Sequence, residues 1–207
     1  MLGAILGDII GQPYEFNRSP KTKKFPLFCK NPRFTDDTVM TIAICDGILK
    51  AGLDADENTM KTAMITSMQL WGHKYPHAGY GRKFYIWLAC EDTKPYGSYG
   101  NGSAMRVSSV GWLFGPEYRH VESCQETCPE AITAFLEGED FEDVIRTAVS
   151  LGGDCDTLTD IATGMGEAFF GLSEQFKTWA YELTTDDMHE VMKDFEEHKI
   201  SVKRVED

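Results

Sequence analysis

The chain has 207 residues and a mass of 23.3 kDa, enough for one sizeable domain. Its 20 Lys and Arg against 33 Asp and Glu leave a net charge of −13 and a pI of about 4.8, which excludes a nucleic-acid sleeve or an anionic membrane surface as the natural partner. With 42% hydrophobic and 26% charged residues, a packed core can form and wholesale disorder is excluded.

Met1 to Ile10 is apolar, but it carries Asp8 and lacks a basic start or a small-residue cleavage pattern, so it is read as part of the fold rather than as a targeting segment. No run of 18 apolar residues occurs, and no membrane span is expected. Gly11-Gln12-Pro13-Tyr14 reads as a turn leading to Glu15, where a lone carboxylate most often faces solvent. Val39, Met40, Ile42, Ala43, Ile44, Ile48 and Leu49 predict a largely buried helix over Asp36–Ala51, with Gly52 as its stop. Further helices are expected over Glu57–Trp71 and Ser108–Phe114, and over Pro129–Leu136, where Pro129 suits the first turn. Phe141–Leu151 follows, N-capped by Asp140. Asp156–Phe170 closes at Gly171 and carries Ala162, Gly164, Gly166 and Ala168, small residues that let two helices approach closely. Thr185–His198 sets Met188, Val191, Met192 and Phe195 along one face. Strand-like alternation is scarce, so the expected class is all-α. The six cysteines are too sparse for a secreted disulfide framework, and reduced thiols in a cytoplasmic protein fit them.

Two segments carry the densest chemistry: Thr35-Asp36-Asp37-Thr38 and Asp154-Cys155-Asp156-Thr157. Each pairs two carboxylates with a hydroxyl at the start of an apolar helix. Either alone is accounted for as a helix cap. Each also offers three hard oxygen donors where a cap needs one, which suits Mg²⁺, Mn²⁺ or Ca²⁺ better than zinc. Four carboxylates brought together would repel one another unless cations sat between them, and a two-metal site that activates water resolves the conflict. Gly97-Ser98-Tyr99-Gly100-Asn101-Gly102-Ser103 could cradle phosphate oxygens with backbone amides or be a plain loop. The five histidines stand at no ligand spacing, and Cys124 with Cys128 lacks a second pair for zinc.

Together these segments resemble the ADP-ribosylglycohydrolase family, relatives of dinitrogenase-reductase-activating glycohydrolase and of the ADP-ribosylarginine and ADP-ribosylserine hydrolases. Gly3 to Gly11 followed by Glu15 resembles the family's opening helix and glutamate loop. Phe34 to Thr38 resembles its first metal motif and Gly152 to Thr157 its second, while Ala78 to Gly81 and Gly97 to Arg106 are similar to its substrate loops. The similarity runs over roughly residues 1–171.

The resemblance implies one all-α domain over 1–207, a compact orthogonal helical bundle with two Mg²⁺ or Mn²⁺ ions at the base of an ADP-ribose cleft. It implies Thr35, Asp36, Asp37, Asp154, Asp156 and Thr157 as metal ligands. Gly97, Ser98, Tyr99, Gly100, Asn101 and Gly102 would hold the diphosphate, with Gly79 and Tyr99 bordering the ribose and adenine. Glu15 and Asp37 are the candidates for proton transfer. The implied reaction is removal of ADP-ribose from a modified protein side chain at C1″.

One departure stands out. Asn101 and Asp154 are only 53 positions apart, so several middle helices of the family are absent. No residue matches the histidine that the family carries there, and no motif supports His120 in its place. A catalytically inactive relative that binds ADP-ribose, or a structural role, is the alternative. Loss of covering helices also predicts a homodimer, since exposed apolar surface invites self-association.

Overall fold

The computed structural model describes residues 1–16, 18, 21–91, 93–98, 100–114 and 127–199. Among them every regular element is helical, and the class is all-α. The chain opens with α1 (Leu2–Gly11) and a 3-10 turn (Gln12–Tyr14). It continues through α2 (Asp36–Ala51), α3 (Glu57–Lys74), α4 (Arg82–Leu88), α5 (Gly102–Met105) and α6 (Ser108–Phe114). The later helices are α7 (Thr127–Glu137), α8 (Phe141–Leu151), α9 (Cys155–Phe170), α10 (Glu174–Glu182) and α11 (Asp186–His198). None of these helices is long and apolar enough to cross a membrane.

Apart from Asp8 the first helix is apolar, and all of its residues are buried, as expected of a helix at the centre of a bundle rather than on its surface. Gly3, Gly7 and Gly11 recur at a spacing of four and so form one stripe along it. This stripe lies directly on α9. A Cβ at Gly7 would stand 2.6 Å from the Thr159 carbonyl and 2.7 Å from Asp160 Cα, and one at Gly11 would stand 2.5 Å from the Cys155 carbonyl. Backbone atoms cannot yield as a side-chain tip can, so an alanine at Gly7 or Gly11 would force the two helices apart. The small residues expected to permit close approach on α9 play a milder part: Gly164 and Gly166 meet their neighbours at ordinary contact distances.

The second helix packs its Val39, Met40, Ile42, Ala43 and Ile48 into the main core with Ile5, Leu6 and Ile9 of α1 and Met188, Met192 and Phe195 of α11. Ala131, Ala134, Val144, Ala148, Leu158 and Ala162 make a second, smaller cluster between α7, α8 and α9. At the opposite end of α9, Glu167 accepts the Gly3 amide at 2.8 Å and so satisfies a free N–H at the start of α1. The packing sets the last turn of α1, the first turn of α2 and the first turn of α9 at one end of the molecule. There the two acidic segments meet.

Candidate metal and ADP-ribose site

Thr35 is the N-cap of α2: its backbone is extended and its hydroxyl accepts the Asp37 amide at 3.3 Å. The capping account of the first acidic segment therefore holds for Thr35. It does not account for the two aspartates behind it. Asp37 is buried, and its Oδ1 has no hydrogen-bond partner. Asp36 is partly buried and lies against Gly79, where a Cβ would come within 3.2 Å of its Oδ1. Gly79 has φ +115°, a conformation suited to glycine.

The second segment is set by Gly152 and Gly153, both at φ +82°, which end α8 and turn the chain into α9. Asp154 occupies the N-cap position of α9 without capping it. Its Oδ2 instead accepts a hydrogen bond from Asn101 Nδ2 at 2.5 Å, so the glycine-rich loop is tied to the second acidic segment through a side chain. Asp156 is buried, and its Oδ1 accepts the Thr157 amide at 2.8 Å. Cys155 between them is a buried thiol pushed up to about 11 by burial and the Asp156 charge, an inert packing residue.

These groups converge. Carboxylate oxygens of Asp8, Asp37 and Asp156 lie within 4.8 Å of one another, and so do those of Glu15, Asp154 and Asp156. Asp156 belongs to both sets. Glu15 does not stand free in solvent. It is partly buried, Arg18 Nη2 donates to it at 3.1 Å, and the next residue, Phe16, donates its amide to the Gly153 carbonyl. Phe16 adopts φ +55°, uncommon for a bulky residue. This bridge fastens the glutamate loop to the second acidic segment.

Burial, first, and like charge, second, push these carboxyls upward. Asp37 rises well above the usual carboxylate range through burial and the Asp8, Asp160 and Asp36 charges, partly offset by the Thr157 hydroxyl. Asp156 rises strongly through burial, a hydrogen bond shared with Asp154 and the Asp37 charge. Asp36 is pushed up to about 6 by burial and by Asp8. One turn along α9 from Asp156, Asp160 is buried with both oxygens unpartnered, and burial raises it well above its ordinary value. A buried carboxylate cluster with an orphaned oxygen is costly as anions. An all-oxygen donor set relieved by positive charge fits hard divalent cations such as Mg²⁺ or Mn²⁺.

Two contributors were not legible as site residues. Asp8 was visible only as a charge interrupting an apolar helix, and Asp160 only as an acid inside the apolar pattern of α9. Of the loop residues, Gly97 has φ +62° and Ser98 Oγ accepts the Gly100 amide at 3.1 Å, leaving an exposed glycine-rich backbone. Gly102 has a different reason to be glycine. The Arg106 side chain folds back over it, with Nη2 at 2.9 Å from where a Cβ would stand. The guanidinium rests 4.5 Å from the Phe84 ring centre, and Nη1 donates to Met68 Sδ at 3.3 Å. Tyr99 and His120 lie outside the described residues.

Comparison with curated proteins gives no match. A family model described as ADP-ribosylglycohydrolase matches residues 1–127, more than half of the chain, taking in α1, Glu15, the first acidic segment and the glycine-rich loop. The second acidic segment lies beyond the matched residues yet folds against the first. By that match the chain belongs to the ADP-ribosylglycohydrolase family.

Proposed function

We propose that the chain is a divalent-cation-dependent hydrolase that releases ADP-ribose from modified protein side chains by breaking the glycosidic bond at C1″. The observation that carries this reading is Asp156, shared between two carboxylate sets. Thr35, Asp36, Asp37, Asp154, Asp156 and Thr157 would hold two Mg²⁺ or Mn²⁺ ions. Such cations supply Lewis acidity, activating water and offsetting the diphosphate charge that a −13 chain would otherwise repel.

The chain's own residues divide the remaining work. Gly79 and the loop from Gly97 through Ser98, Tyr99, Gly100 and Asn101 to Gly102 would receive ADP-ribose with backbone amides. Asn101 reaches Asp154 and so couples loop position to the ligand set. Between the two candidates for proton transfer, Glu15 is the more open and Asp37 the more enclosed. That contrast favours Glu15 for exchanging a proton with water and Asp37 for holding a cation.

A binding-only role is the second reading, and the short span between Asn101 and Asp154 favours it, because fewer residues are available to close over the reacting bond. Release of free ADP-ribose from ADP-ribosylarginine and ADP-ribosylserine peptides separates the two. Turnover with Mg²⁺ that EDTA abolishes is the expected result, and absence of release from both peptides would favour binding alone.

A further inference from the structure

Asp8 has no exposed surface, and its carboxylate receives four hydrogen bonds from a single turn of α2. Oδ2 accepts the Thr35 amide at 2.8 Å, the Thr38 amide at 3.1 Å and the Thr38 hydroxyl at 2.5 Å, while Oδ1 accepts the Thr35 hydroxyl at 2.8 Å. Placing an anion inside an apolar helix is expensive, and capping alone does not require it, because Thr35 already satisfies the Asp37 amide.

The Thr35 hydroxyl shows what Asp8 adds. It has one proton and two acceptors in reach, Asp8 Oδ1 at 2.8 Å and Asp37 Oδ2 at 3.3 Å. The shorter contact takes the proton. With the proton directed to Asp8, one lone pair of the hydroxyl accepts the Asp37 amide at 3.3 Å and the other is left for a cation. Oδ2 of Asp8 is fully used by three donors, so most of this carboxylate's capacity is spent on the turn that carries Thr35 and Asp37.

We infer that Asp8 is a positioning residue: it fixes the Thr35 hydroxyl and the first turn of α2 so that Thr35 and Asp37 present oxygen lone pairs to a divalent cation. This role rests on the cation-dependent reading proposed above. Groups that orient metal ligands in this way typically change affinity about 10- to 100-fold when removed.

The test is Mn²⁺ affinity of the metal-free protein, read by electron paramagnetic resonance of free Mn²⁺, for Asp8→Asn, Thr35→Val and the double variant. Asp8→Asn should weaken binding about 10- to 100-fold. The double variant should fall short of the sum of the two single losses, because part of the effect of Asp8 passes through that hydroxyl, and Thr35→Ser should keep the unsubstituted affinity. Unchanged affinity in Asp8→Asn, or losses that add in full, overturns the role. If Asp8→Asn does not fold, Thr38→Ala removes one Oδ2 donor and should loosen Mn²⁺ binding several-fold; unchanged affinity there overturns the role equally. Mn²⁺ binding by the unsubstituted chain keeps these outcomes separate from failure of the functional reading, which its absence would overturn.

Discussion

Asp156→Asn is expected to abolish cation binding and ADP-ribose release while making the metal-free protein more stable. The two effects have opposite signs because they come from the same group in two states. Asp156 is the carboxylate common to both acidic sets, so its loss removes a donor from each proposed cation position, and affinity should fall about 100-fold. Without cations the same carboxyl is buried beside Asp37 and Asp154 and must take up a proton to fold, a cost that an amide of equal size avoids. A gain of about 1 to 2 kcal/mol, a rise of roughly 2 to 8 °C in Tm for a chain of this length, is expected in EDTA. Calorimetric unfolding with EDTA and with Mn²⁺ reads both arms. A variant less stable in EDTA and unchanged in Mn²⁺ affinity would assign Asp156 a purely structural place.

The metal-free protein should lose stability as pH rises from 5 to 8. The sign follows from proton binding. Asp36, Asp37, Asp156 and Asp160 all have folded-state pKa values above the 3.8 of a free aspartate. Between 3.8 and each raised value the folded chain binds more protons than the unfolded one, so raising pH favours unfolding. Asp36 completes its part near pH 6, where its carboxyl titrates. Asp156, pushed up to about 11 by burial first, carries the loss through neutrality. Each pKa unit corresponds to about 1.4 kcal/mol, so a Tm lower by at least several degrees at pH 8 than at pH 5 is expected. The net charge of −13 pushes in the same direction. Saturating Mn²⁺ should flatten or invert the trend, since cations replace the protons. Unfolding scans at four pH values, with EDTA and with Mn²⁺, check it. A metal-free protein more stable at pH 8 than at pH 5 would contradict the buried-carboxylate account.

Local periodicity made much of the fold legible. Asp36–Ala51, Ser108–Phe114 and Phe141–Leu151 have the bounds that their apolar patterns and caps predict, and Asp140 caps α8 by accepting the Asp143 amide. The third helix runs a turn beyond Trp71, to Lys74. The tenth helix was invisible because Phe176 and Ala180 are its only buried residues, too few to set a period among charged neighbours. The fourth helix, Arg82–Leu88, begins directly after a glycine cluster and carries Phe84, Trp87 and Leu88 inward while leaving Tyr85 and Ile86 exposed. Its continuous apolar run hides which face is inside.

The candidate site was legible as two separate acidic segments, because each is a local motif. Their convergence was not, since it depends on how α1 and α9 pack. The glycines responsible, Gly3, Gly7 and Gly11, read in sequence as part of an apolar run. The Asn101–Asp154 contact spans 53 positions and has no local signature. Asp8 carried one signal, a charge in an otherwise apolar helix. Only its four partners on α2 give that signal a meaning.

Calorimetric titration of ADP-ribose into the protein, first with Mg²⁺ and then with EDTA, tests the central claim most directly. The account predicts saturable binding with Mg²⁺ that EDTA removes, because the acidic centre repels a diphosphate until cations occupy it. Binding of equal strength in EDTA, or no binding under either condition, would contradict a cation-dependent ADP-ribose site at the junction of α1, α2 and α9.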